Sequence, residues 1–310
     1  MNKLALLQRI KHIYENNENI TEYLRKVSNE ESNSWEDILI SYDFQAGSYV
    51  DNYYENKEII DDYCSEIGEV VNRLELDQAN NYLICEAGVG EATTLTNVSK
   101  VISDKFIKYG FDLSWSRIAV ANKFVKEQGI NDINLVVGDL FNAPYLDDSF
   151  DIVYTSHTIE PNGGREEEAL KQLYRITRQY LILLEPSYEL ASEEGKNRMV
   201  KHGYIRNLYS KAQELGLEIL EYRLFDVITN PLNPTALMVI KKPQSTDRIV
   251  KDPLCCPVTK SPICKKVTAS GEVFFSERSL LSYPVIDSIP CLLPQNAIVT
   301  TKFSNLIHSS

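Results

Sequence analysis

Apolar residues recur every third position at the start of the chain, at Leu4, Leu7, Ile10 and Ile13, and again in a shorter set at Ile20, Tyr23 and Leu24. After Trp35, Ile38 and Leu39 the pattern dissolves into SYDFQAGSYVDNYYENK, a tyrosine-rich stretch without a clear period. It resumes at Ile59, Ile60, Tyr63, Ile67, Val70, Val71 and Leu74. Residues three and four apart share one face of a helix, so residues 1–75 predict a helical cap. From residue 82 the rhythm changes to short apolar runs alternating with helical patterns, the order that builds a parallel sheet wrapped by helices. The strand candidates are YLIC, FIKYGFDLS, INLVVGDL, FDIVYTSHT, YLILLEP, LEILEYRLF and ALMVIKK. Helices are expected at about 92–103, from Trp115 to Phe124, at about 165–177 and from Tyr204 to Leu215, the last stopped by Gly216. Only the proline-rich NPLNP joins the last two strands, so the final one is expected to return antiparallel. The fold class is therefore α/β, a doubly wound and mostly parallel seven-stranded sheet over residues 76–243.

The strand ends carry the chemistry. The first strand runs into an acid, Glu86, and then into Gly88 and Gly90, with a helical pattern opening at Ala92, Thr93 and Thr94. Glycines there turn the backbone sharply and let a ligand lie against it, so the stretch reads as a nucleotide turn. Asp112 ends the second strand 22 positions beyond Gly90, close to the ~20-residue offset at which a carboxylate takes ribose hydroxyls. The third strand ends in Gly138-Asp139-Leu140, the fourth in Ser156-His157 and the fifth in Glu185-Pro186. A dinucleotide fingerprint would want a third glycine where Thr93 stands, and it has no use for Glu86.

Charge narrows the partners. The net charge is −12, but residues from Arg248 onward carry seven Lys/Arg against four Asp/Glu, a net of +3 that leaves −15 for residues 1–247. A body that acidic repels a phosphate backbone, which argues against nucleic acid as its partner. No apolar run reaches the roughly 18 residues of a membrane span. Arg9, Lys11 and His12 break up the N-terminal apolar pattern, so it reads as a helix and not a leader, and a cytoplasmic protein is expected. Cys64 and Cys85 fall in core elements, while Cys255, Cys256, Cys264 and Cys291 crowd the last sixty residues. That distribution poses a zinc question and not a disulfide framework.

Over about residues 40–242 the chain resembles the class I methyltransferases that use S-adenosylmethionine (SAM). The likeness rests on ICEAGVGEATTL, YGFDLS, VVGDLFNAPYLDDSFDIVYTSH and the late hairpin. It implies a Rossmann-like fold with SAM as cofactor. It also implies Glu86 near the methionine part, Gly88 and Gly90 against the cofactor, and Asp112 on the ribose hydroxyls with Leu113 next to it. Asp139 would accept from the adenine amino group, the Leu140 amide would meet the ring, and Thr155 and Ser156 would lie beside the sulfonium.

Methyl transfer asks the protein mainly to align an acceptor and exclude water. A hydroxyl acceptor calls for a base; a neutral amine or a thiolate needs less help. Candidates are His157, Glu160 and Asn162 in SHTIEPNGG, and Glu185 after the fifth strand. His157 reads equally as a structural histidine, and Glu160 as a turn cap before Pro161. Tyr42, Gln45 and Tyr49 either pack or form a lid facing ligand. The fourth strand ends in TSHT and lacks the Asn-Pro-Pro-aromatic motif typical of relatives acting on adenine amino groups or glutamine side chains. A small-molecule acceptor is expected, with a tRNA- or translation-factor-modifying enzyme and a non-catalytic SAM-binding scaffold as the alternatives.

Residues 243–250 (PQSTDRIV) form a polar linker, 250–298 a small β-rich module and 299–310 a tail. CPVTKSPI and YPVIDSIPCLL make the module similar to the small activator proteins that partner tRNA- and translation-factor-modifying methyltransferases. Many of those bind zinc through C-x-x-C, but here Thr259 stands three residues after Cys256, so no zinc is expected. The module is either an activator fused in cis or a dimerisation or stability element. Its positive charge beside an acidic body makes docking a further expectation, either within one chain or head-to-tail in a homodimer, screened at physiological salt.

Overall fold

The computed structural model describes residues 3–29, 33–77, 79, 81–228, 230–243, 252–269 and 271–306. Helices fill its start: α1 (Leu7–Glu15), α2 (Ile20–Ser28), α3 (Trp35–Phe44), α4 (Ser48–Glu55) and α5 (Lys57–Asn72). The tyrosine-rich stretch, aperiodic in sequence, is α3 and α4. Gly47, at φ 106°, sits in the turn between them and resets the helical phase. A capping box of Ser34 and Asp37 starts α3. Ile10, Ile13, Ile20, Leu24 and Ile40 give the first three helices a small core of their own.

The sheet has the expected seven strands: β1 (Tyr82–Ala87), β2 (Phe106–Asp112), β3 (Ile133–Val137), β4 (Phe150–Ser156), β5 (Thr177–Pro186), β6 (Glu218–Leu224) and β7 (Thr235–Lys241). Their order is β3-β2-β1-β4-β5-β7-β6. The first five are parallel, and β7 lies antiparallel between β5 and β6. Around them pack α6 (Thr93–Val98), α7 (Trp115–Glu127), α8 (Glu166–Ile176), α9 (Glu193–His202) and α10 (Leu208–Glu214). Several elements differ from the sequence reading, and α6 is shorter than the expected 92–103. The polar helix α9 was not foreseen, and the helix expected from Tyr204 begins at Leu208. Gly203, at φ 70°, ends α9 and holds the chain out of helix there.

β5 also begins three residues before the expected YLILLEP, which carries Arg178 and Gln179 into the interior. The Arg178 guanidinium lies 2.7 Å from Asp151 and 2.6 Å from Asp77, and Asp151 also accepts from the Leu83 amide. Arg178→Ala would leave the Asp151 carboxylate buried beside an empty space. The expected cost is about 3–5 kcal/mol, read as a lowered urea midpoint with an unchanged slope.

Beyond the main sheet, β8 (Cys264–Thr268), β9 (Gly271–Ser276), β10 (Leu281–Ile286), β11 (Ile289–Pro290) and β12 (Ile298–Val299) form a separate antiparallel sheet. It closes the edge of the larger one. Val137, at the end of β3, forms a parallel bridge with Cys291, and its carbonyl accepts from the Leu292 amide at 2.8 Å. A second seam joins Tyr145 to Leu254, with Leu146 N donating to Pro253 O and Cys255 N to Pro144 O. Side chains from the module enter the cores on both faces of the main sheet: Ile289, Cys291 and Leu293 on one, Phe274, Tyr283 and Leu292 on the other. An edge strand left bare would present unpaired amides and carbonyls. Within the module, Thr259 pairs with Ser261 and Ser261 with Ser276 through their hydroxyls, and Cys256 Sγ lies 3.1 Å from the Tyr283 hydroxyl. Among the described residues, no three His, Cys, Asp or Glu side chains are placed to hold a metal ion. No described helix is long and apolar enough to cross a membrane. The expected linker lies outside the described residues apart from Pro243, as does the tail beyond residue 306.

Candidate functional site

Strand order reverses between β1 and β4, and a crevice opens there at the carboxyl ends of the parallel strands. Gly88 and Gly90 line it with φ of 68° and 54°. A Cβ on Gly88 would stand 2.1 Å from the Thr158 methyl, so no larger residue fits that turn. Glu86 is buried beneath it and accepts from the Tyr154 hydroxyl at 2.8 Å. Burial pushes its carboxyl up to about 8, against the pull of that hydrogen bond. Asp112 accepts from Gly90 N at 3.0 Å and Ser114 N at 2.9 Å. Burial raises its pKa too, opposed by the nearby Arg117 charge and by those two amides. Asp139 accepts from the Phe141 amide and the Asn142 side chain, which leaves Leu113 and Leu140 to supply apolar wall.

These groups open onto a cavity of about 830 Å³. Helices α3 and α4 cover it, and Tyr42, Gln45 and Tyr49 all line it. Two carboxylates pin that cover. Glu91, next to the glycine turn, accepts from Gly47 N and Val50 N at the start of α4. Asp43 of α3 accepts from the hydroxyls of Ser114 and Ser116 at the start of α7. Between the two layers lies Arg117, which the sequence reading missed. It is 4% exposed, its guanidinium carbon is 4.5 Å and 4.3 Å from the ring centres of Tyr42 and Tyr49, and its Nε donates to Tyr42 O. Its Nη2 has no hydrogen-bond partner in the protein. The one signal in the sequence was a cation in the first turn of a helix, where the backbone dipole disfavours positive charge.

At the end of β4 the sequence candidates separate. Ser156 lines the cavity, and its hydroxyl is 2.9 Å from that of Tyr63. Thr155 does not. The pleat turns it into the protein, fully buried. His157 lines the cavity at φ 55°, yet both its ring nitrogens are engaged, Nδ1 with Glu160 Oε2 at 2.6 Å and Nε2 with Thr235 Oγ1 at 2.8 Å. Burial acts against a charged imidazole here, but the hydrogen bond and charge of Glu160 outweigh it and raise the His157 pKa. Glu160 and Asn162 line the same wall, with Tyr204 and Asn233 beside them. Glu185 stays out of the cavity. It lies beneath the loop and accepts from the amides of Thr158, Ile159 and Glu160 at 2.9–3.1 Å. Burial lifts its carboxyl to about 7, and it anchors the loop that carries His157 and Glu160.

With that geometry in place, comparison with known proteins gives three findings. The family described as "Methyltransferase domain" matches residues 84–180, which span the glycine turn and β1 to β4. A UPF0434 protein of Rhodopseudomonas palustris (strain TIE-1) is 37% identical over 57 residues, 18% of this chain and 85% of that protein. Among solved structures, the complex between the Haloferax volcanii Trm112 methyltransferase activator and its candidate methyltransferase includes a chain that aligns at a TM-score of 0.50 with 15% identity. That alignment covers 66% of this chain and 98% of the other, a likeness of fold. Magnesium protoporphyrin IX methyltransferase from Synechocystis PCC 6803 aligns at a TM-score of 0.49 with 13% identity, over 66% of this chain and 99% of its own. The strand order, the glycine turn and the family match over the same residues agree: the chain is a SAM-dependent methyltransferase of the class I fold.

Proposed function

We propose that the enzyme methylates a small molecule held between the strand ends and the helical cap. The observation that carries this reading is the pinned cover: α3 and α4 are tied by Glu91 and Asp43 across the cavity. A cavity of about 830 Å³ falls in the range of about 300–1,000 Å³ usual for small-molecule sites. The test is transfer of labelled methyl from SAM into a fractionated cell extract. Label in the small-molecule fraction is expected; label in protein or RNA overturns the reading.

The residues present fit SAM. When bound it supplies a methyl group on a sulfonium leaving group. The glycine turn accommodates close approach, Asp112 keeps lone pairs for the ribose hydroxyls with Leu113 against it, and Asp139 with the Leu140 amide suits the adenine edge. Ser156 borders the reacting centre, and Glu86 offers a carboxylate to the ammonium of the methionine part. His157 and Glu160 orient the acceptor. Because both nitrogens of His157 are held by protein groups, we assign it a positioning role and not that of base.

Glu86 gives this cofactor assignment a pH signature. With its carboxyl up near about 8, the empty site is mostly protonated at pH 7, whereas the ligand's positive charges favour the carboxylate. Binding should therefore release close to one proton at pH 7, and SAM affinity should rise as pH rises toward 8. Calorimetry in buffers of different ionisation enthalpy reads the proton directly. Glu86→Gln should abolish the buffer dependence, and a variant that keeps it removes Glu86 from this role.

A second reading is favoured by the C-terminal module. Its likeness to a UPF0434 protein, beside a main domain whose fold is shared with a chain from a Trm112 complex, supports an activator fused in cis to an enzyme acting on tRNA or a translation factor. The charge of −15 on the body argues against the tRNA version. Absence of an RNA gel shift at low salt would remove it.

A further inference from the structure

We propose that Arg117 binds the carboxylate of the methionine part of SAM, so that the site selects a donor with its amino-acid end intact. The inference rests on SAM as the cofactor and is independent of the acceptor. Arg117 is 4% exposed and lines the cavity, and a guanidinium keeps its charge at any ordinary pH. A cation that deep is ordinarily paired with an acid. Asp112 and Glu91 stand near enough to favour its charge, but neither accepts a hydrogen bond from it. Asp112 gives its oxygens to Gly90 N and Ser114 N, and Glu91 gives its own to Gly47 N and Val50 N.

The guanidinium is held in place without being paired. Its Nε donates to Tyr42 O at 3.1 Å, and the ring centres of Tyr42 and Tyr49 lie 4.5 Å and 4.3 Å from its carbon. Nη2 is sealed inside the protein. Nη1 differs. It donates to no group among the described residues, yet it is not sealed, and it reaches the glycine turn, where a Cβ on Gly90 would stand 3.4 Å from it. Arg117 is therefore an open donor, already oriented, in the cavity wall. Among the described residues, no other Lys or Arg lines the cavity. SAM carries an ammonium, a sulfonium and a carboxylate, of which only the last is negative. Glu86, on the β1 side of the glycine turn, is offered to the ammonium, and Arg117 stands on the α7 side. A guanidinium bonds a carboxylate more strongly than a neutral hydroxyl, which favours this end of the ligand over the ribose that Asp112 takes.

The experiment titrates the full-length protein with two ligands in a calorimeter. S-adenosylhomocysteine carries the carboxylate; 5′-methylthioadenosine keeps the adenosine and the thioether but lacks the amino acid. Arg117→Met removes the charge and keeps an unbranched side chain. It should weaken S-adenosylhomocysteine by about tenfold to a hundredfold, the loss of a hydrogen bond between charged groups, and leave methylthioadenosine within about twofold. Equal loss for both ligands overturns the proposal, because Arg117 then serves the adenosine half or the fold. No loss for either overturns it too. If the variant does not fold, wild-type protein is titrated with SAM and with its decarboxylated form, which should bind at least about tenfold more weakly; equal affinities overturn the proposal. Wild-type protein that binds neither SAM nor S-adenosylhomocysteine instead removes the cofactor assignment itself, so the two failures are distinct.

Discussion

Ending the chain after Lys242 is expected to leave a methyltransferase domain that cannot stay folded and soluble alone. The module supplies more than a neighbour. It pairs the end of β3 through Cys291 and Leu292, and it sends Ile289, Cys291 and Leu293 into one core and Phe274, Tyr283 and Leu292 into the other. Burying one such side chain is worth about 1.5–3 kcal/mol, whereas a whole domain is stable by about 5–15 kcal/mol. Uncovering several at once removes most of that margin and bares a strand edge as well. Light scattering and urea unfolding of residues 1–242 should show aggregation or a much reduced midpoint. Co-expression of residues 252–310 as a separate chain should restore both solubility and SAM binding. A truncated protein that is monodisperse, with an unchanged midpoint, would show that the interface contributes little.

The second large effect is at Asp112. Its two oxygens are held by Gly90 N and Ser114 N, so the side chain cannot rotate away from the crevice. Asp112→Ala is expected to cost about 1.5–3 kcal/mol of SAM binding, the range for a hydrogen bond to a charged group, which is about tenfold to more than a hundredfold in Kd. Asp112→Asn keeps the shape and one acceptor, and should lose less. Calorimetric titration measures both. An alanine variant with wild-type affinity would exclude Asp112 from the ribose site.

The sheet was legible because parallel strands buried on both faces read as continuous apolar runs, as the centres of β1, β4 and β5 do, while the edgeward β2 and β3 are interrupted by Lys108 and Asn134. The hairpin of β6 and β7 was legible from NPLNP, which leaves no room for a crossover helix. Helix α9 was not. Its segment EEGKNRMVKH buries only Gly195 and Met199, so it shows no stripe. At the site, sequence order located the strand ends but not the side to which each residue turns. Thr155 and Ser156 are neighbours, yet one faces the interior and the other the cavity. Glu185 ends its strand as an acceptor-site carboxylate would, but it is committed to three amides of a loop some 26 residues earlier. Arg117 depends on two tyrosines about 70 residues away, a contact that no local pattern encodes.

The bridge from Val137 to Cys291 also sets a timetable. The ribosome finishes β3 on the order of 150 residues before it reaches the strand that closes it. At about 5–20 residues per second, that edge waits about eight to thirty seconds during synthesis. A freely diffusing activator would have to arrive in that interval, in matching amount, for every copy made. Fusion supplies one closing segment per enzyme at high local concentration. It also marks an incomplete product: a chain stopped before Cys291 carries every residue of the nucleotide crevice but leaves a strand edge open, a template for pairing with other chains.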